Sequence, residues 1–147
     1  MDDSTGPTTP EAAVKVMRII WAALIAGQVV FLIVVIAMLS AGQNTPQPDL
    51  GRLLFYVALG MMVLCVGVAH VLRAQVFKQA RAASGGKLPP ARWFTGMILF
   101  NALLEGPSLF GIVTILIGGS VFPNVVVSIV PLAVQLANFP TGSAMES

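Results

Sequence analysis

Charge is what this chain has least of: 10% of its 147 residues are charged, against 56% that are hydrophobic. A soluble domain needs more charge than that to clothe its surface, so the soluble globular class is excluded and an integral membrane class remains. Cysteine is nearly absent too. With Cys65 alone, no intramolecular disulfide forms and thiol relay chemistry has no second member. That removes quinone-linked disulfide oxidoreductases, a common occupation of small four-helix membrane proteins. One histidine, His70, does not suffice for a multi-histidine metal or haem site within one chain. There is no pair of neighbouring carboxylates in the apolar part, no nucleophile beside a base, and no metal-ligand spacing. The expectation is a protein that is not an enzyme and needs no cofactor.

Long apolar runs are what the chain does have. Four stand out, at about 19–39, 53–72, 93–118 and 121–139. About 20 helical residues cross a hydrocarbon core of about 30 Å, and each run meets or nearly meets that length. Strands of a membrane barrel would alternate apolar and polar residues, whereas these runs are apolar on every side. The predicted fold class is therefore all-α, a four-transmembrane-helix bundle occupying 11–139. A disordered N-terminus is expected over 1–10 and a short tail over 140–147. The first run is too long for a signal-peptide core and reads as a retained helix. Pro10 suits a helix start, and residues 73–83 read as a continuation of the second helix, stopped by Ser84-Gly85-Gly86.

The basic residues predict orientation. Lys15 and Arg18 precede the first run, and Arg73, Lys78, Arg81, Lys87 and Arg92 lie between the second and third; Arg52 alone is on the other side. The positive-inside rule then puts both termini and the central loop in the cytoplasm, with the bundle in a bacterial-type inner (plasma) membrane. Topology thus accounts for the basic residues, and nucleic acid is not an expected partner. The lipid bilayer is, with anionic head groups near residues 73–83. Trp21 and Trp93 lie near the cytoplasmic interface, as belt aromatics do.

Residues 19–36 can be set against 98–115. Ile19, Ala23-Leu24, Gly27, Phe31, Ile33-Val34 and Ile36 recur as Ile98, Ala102-Leu103, Gly106, Phe110, Ile112-Val113 and Ile115, with Trp21 matched to Phe100. The match fits a parallel duplication of two tandem helical hairpins, with Ala26 opposite Glu105. It also fits chance likeness between helices of similar composition, since the second and fourth runs align poorly.

Glu105 is the only acidic residue inside these runs, near the middle of the third. A charged carboxylate at mid-bilayer costs about 2.5–3.5 kcal/mol, so such a residue is protonated, paired or part of an ion path. Asn101 at i−4 and Ser108 at i+3 share its helix face. Pro107 lacks an N–H, which frees the carbonyl of Leu103, and its ring should kink the helix. Gly106 and Gly111 permit close approach of a neighbouring backbone. Gln28 lies at similar depth in the first run, Ser128 beside Pro131 in the fourth, and Gln135 deeper toward the cytoplasm. Glu105, Asn101, Ser108, Gln28 and the Leu103 carbonyl are thus the candidate ion-binding groups. With no Lys or Arg in a span core, the expected resting state is a protonated carboxyl bonded to Asn101, Gln28 or a carbonyl. A bond that merely holds the bundle together is the competing reading, and ligand binding is a third.

Glu105-x-x-x-Leu109-Phe110-Gly111-Ile112-Val113 resembles the ion-carrying helix of rotary ATPase proteolipid (c) subunits. In that helix an acid precedes a similar aliphatic, aromatic, Gly, aliphatic, Val run, and a polar cytoplasmic loop precedes both. The resemblance implies Glu105 as ion carrier, with Ser108 or Gln28 as helpers, in a homo-oligomer or larger membrane complex. It covers about 20 residues. The sequence departs from the family in having Pro107, few glycines in the partner helix, and the acid in its third span. The chain is also similar to small uncharacterised bacterial four-span membrane proteins with an Ala-Leu-Leu-Glu-Gly-Pro-like motif. Three functions follow in order: a proteolipid-like subunit binding or translocating H⁺ or Na⁺, a non-catalytic structural or accessory subunit, and a small-molecule exporter.

Overall fold

Prolines set the helix starts. A computed structural model describes residues 9–43 and 45–145; the expectations for residues 1–8 and 146–147 lie outside the described part. Helix α1 spans Pro10–Ser40, α2 Pro48–Ala83 and α3 Pro90–Gly118, each with proline in its first turn, where the missing N–H has no intrahelical partner to lose. Thr9 completes the start of α1 by accepting from the Ala12 N–H at 3.2 Å. Helix α2 stops at Ser84, and α3 ends on Gly119 in the left-handed conformation at φ 65°, which glycine adopts without a Cβ clash. Helix α4 is Val125–Ala137, and a short 3₁₀ turn, Ser143–Met145, follows. Among the described residues there is no strand.

The first three helices are long and apolar enough to cross a membrane. Helix α4, at 13 residues, is shorter than the apolar run over 121–139 that contains it. Both ends of that run go into capping. Ser120 Oγ donates to the Phe122 carbonyl at 2.6 Å and Asn124 Nδ2 to the Ser120 carbonyl at 2.9 Å, so the chain turns before the helix begins. At the other end Asn138 Nδ2 donates to the Val134 carbonyl at 2.8 Å, and Pro140 follows. At a rise of about 1.5 Å per residue α4 reaches only about 20 Å.

Helix α3 is the hub. It packs against α2, α4 and α1, whereas α1 and α2 barely touch. Half of the most apolar stretch of α3 is buried, against 11% in α1 and 17% in α2, so the outer helices turn most of their surface outward. The two halves therefore differ: α3 and α4 pair as a hairpin, and α1 and α2 do not.

Two ends can be distinguished. At the loop end, Gly51 of α2 lies against the backbone of Gly118 of α3, Pro46 covers Gly119, and the Gln47 N–H donates to the Ile117 carbonyl at 2.9 Å. At the terminal end, Ala13 and Met17 of α1, Ala80 of α2, and Leu88, Trp93 and Met97 form a buried cluster. The C-terminal segment returns to this cluster and adds Ala144 and Met145. Arginines hold it there. Arg18 Nε donates to the Pro140 carbonyl at 3.1 Å, and Arg81 Nη2 to the Ala144 carbonyl at 2.8 Å. Arg73 Nη1 donates to Asn138 Oδ1 at 2.9 Å.

Candidate functional site

The buried residues of α3 recur at helical spacing, and Asn101, Leu104, Ser108, Gly111, Ile112 and Ile115 form one stripe. Asn101 and Ser108 are each 1% exposed, in the body of that stripe. Glu105 is at its edge and half-buried.

The buried amides form a chain across three helices. Gln135 of α4 donates through Nε2 to the Asn101 carbonyl at 3.1 Å, and its Oε1 accepts from Gln28 Nε2 of α1 at 2.9 Å. Trp21 Nε1 adds a bond to the Gln135 carbonyl at 3.0 Å. The direction of the chain is forced. A backbone carbonyl only accepts, so Gln135 turns its NH₂ to Asn101 and its oxygen to Gln28, which must donate in turn. Gln28 Oε1 is left over, fully buried and without a partner among the described residues. An orphaned buried acceptor costs about 1–3 kcal/mol, so this atom calls for a donor or a cation.

A second seam joins α3 to α4. Ser108 Oγ donates to the Ser128 carbonyl at 3.1 Å. Ser128 Oγ is buried without a partner among the described residues, pressed against Gly111, where a Cβ would come within 2.5 Å of it.

Glu105 belongs to neither seam. No hydrogen bond or ion pair among the described residues engages its carboxyl. Its expected partners are committed elsewhere: Asn101 Nδ2 donates to the Met97 carbonyl on its own helix at 2.8 Å, and Gln28 donates to Gln135. The Leu103 side chain is half-buried, and its carbonyl faces the N–H-less Pro107, which is itself buried within a helix that runs unbroken past it. Around Gly106 there is open space.

Depth still relates Glu105 to Gln28. Helices α1 and α3 run parallel, and Phe31, Leu32 and Val35 pack in one cluster with Leu109, Ile112 and Ile115. Gln28 precedes Leu32 by four residues, as Glu105 precedes Leu109, so one helical turn back from that cluster the two stand at comparable depth.

The structure thus brings Gln28 and Asn101 together through Gln135, and ties Ser108 of α3 to the Ser128 carbonyl of α4. Gln135 is the residue that sequence reasoning passed over as a site member. Its signal was present: Ser128, Pro131 and Gln135 lie at i, i+3 and i+7, and all three are buried on one face of α4.

Comparison with known proteins finds no matching family model, no matching curated protein and no matching solved structure.

Proposed function

We propose that this chain is a membrane subunit in which Glu105 reversibly binds H⁺ or Na⁺, in the manner of the proteolipid subunits that its third helix resembles. One observation carries the reading: among the described residues a mid-span carboxyl stands half-buried with no bond, and at comparable depth on α1 the buried Gln28 Oε1 lacks a donor. A carboxyl serving only to hold the bundle together would be sealed within it, and the amide chain already does that work. An acid left unpaired at this depth is costly, which favours a role in ion exchange or a partner from another subunit. The assembly would be a homo-oligomer or a larger complex that covers the Glu105 face. It would lie in an inner membrane with both termini cytoplasmic, following the basic residues.

The second reading is a structural or accessory subunit without ion exchange. Asn101, Ser108 and Gln28 favour it, because each already has a structural partner. Carbodiimide labelling separates the two, since carbodiimides attack protonated carboxyls in apolar surroundings. Mass spectrometry should find Glu105 labelled, with labelling that falls as pH rises through a defined midpoint or is suppressed by Na⁺. A folded protein whose Glu105 resists labelling at every pH would leave the accessory reading.

A further inference from the structure

At the terminal end, a crevice of about 700 Å³ opens between α2, the first turns of α3 and the returning C-terminal segment. Phe77, Trp93 and Met97 make an apolar floor, and His70, Arg73 and Asn138 supply polar groups. Among the described residues no carboxylate lines it. We propose that this crevice binds the head group of an anionic phospholipid, with Arg73 as the main phosphate ligand.

Arg73 is pre-positioned for that task. Its guanidinium lies 4.2 Å from the centroid of the Phe100 ring, and Asn138 Oδ1 orients one nitrogen at 2.9 Å. Among the described residues no acid pairs with it. Partial burial draws its pKa below the ordinary arginine value, but a guanidinium stays charged in proteins. A planar, weakly hydrated cation held by a ring face and an amide is well suited to phosphate oxygens.

His70 lines the crevice beside Arg73. It stands three residues before Arg73, on the same helix face, and its ring packs edge-on against Phe100 with centroids 5.0 Å apart. Its Nδ1 is 2.9 Å from the Val66 carbonyl, which fixes the proton on Nδ1 and leaves Nε2 for another group.

Depth selects a lipid over a dissolved anion. Arg73 is the first charged residue after the apolar run of α2, at the level where head-group phosphates lie. The turn just before it exposes Val68, Val71 and Leu72, an apolar surface along which acyl chains can lie. An aqueous anion would gain nothing from that surface or from the Phe77–Trp93–Met97 floor.

Native mass spectrometry of the full chain, equilibrated in mild detergent with equal parts phosphatidylglycerol and phosphatidylcholine, tests the assignment. The expected result is one retained phosphatidylglycerol, favoured by about tenfold, equivalent to about 1.4 kcal/mol. Arg73→Gln should abolish the preference while Arg92→Gln, outside the crevice, leaves it intact. If Arg73→Gln does not fold, quenching of tryptophan fluorescence by brominated-chain lipid reads the floor through Trp93 in a Trp21→Phe variant that keeps Arg73. Brominated phosphatidylglycerol should then quench more than brominated phosphatidylcholine. Equal retention or equal quenching of the two lipids overturns the proposal. Thermal stabilisation by inorganic phosphate equal to that by short-chain phosphatidylglycerol overturns it too, in favour of a soluble anion.

Discussion

The two ends of the bundle are closed by opposite means. At the loop end, side chains are missing where α2 and α3 cross, so Gly51 meets the Gly118 backbone and Pro46 seals Gly119. At the terminal end, long side chains do the closing: Arg18 and Arg81 reach to carbonyls of a returning segment, and crevices of about 540 and 700 Å³ flank that segment. Backbone contact offers no intermediate position. Arginine contacts to carbonyls can be exchanged for water, lipid or an anion at small net cost. The first end is a fixed crossing, and the second is where a ligand or another subunit can be accommodated.

The largest expected effect tests the fixed end. A Cβ at Gly51 would collide with the α3 backbone, so Gly51→Ala should destabilise by about 2–3 kcal/mol through overpacking. Gly27 has open space around it, and Gly27→Ala should change stability by less than about 0.5 kcal/mol. Reversible unfolding in mixed micelles would measure both, and equal effects would mean that the Gly51 crossing is not fixed. Between the ends, Gln135→Leu removes bonds to α1 and α3 together. With bonds inside membranes contributing about 0.6–2 kcal/mol each, a loss of about 2 kcal/mol is expected in the same assay. At the terminal end, Arg18→Gln should cost only about 1 kcal/mol, while limited proteolysis after Asn138 should speed up. A loss as large as that of Gly51→Ala would make this end as rigid as the other. The smallest effect on stability is expected at Glu105. Glu105→Gln should shift unfolding by less than about 0.5 kcal/mol, since no bond among the described residues depends on the carboxyl, yet remove carbodiimide labelling and any ion-dependent activity.

Helix class was legible because apolar runs of this length leave few alternatives, and helix starts were legible from prolines with a local steric meaning. The short fourth helix was not. Val121, Phe122 and Phe139 are as apolar as its core, and the side-chain bonds of Ser120, Asn124 and Asn138 help to turn the chain at both ends. The depth of Glu105, Gln28 and Asn101 could be counted along each run. Which polar group takes which partner could not, because rotation about each helix axis decides it. Asn101 and Glu105 are one turn apart, yet one is sealed and the other half-exposed. The return of the C-terminal segment left no pattern to read, since its contacts come from residues as far as 63 and 122 positions away.

The hub position of α3 also bears on how the chain enters a membrane. Helices α1 and α2 barely touch, so each must rest in lipid without a protein neighbour until the third helix has been synthesised. Mean hydropathy falls in that order, from α1 to α2 to α3. The two helices that wait alone are the ones hydrocarbon tolerates best. The helix carrying Asn101, Glu105 and Ser108 arrives when two partners are already in place, and α4 then brings the Gln135 and Ser128 groups that its polar side meets. Insertion of α3 without α1 and α2 should therefore be the inefficient step in biogenesis.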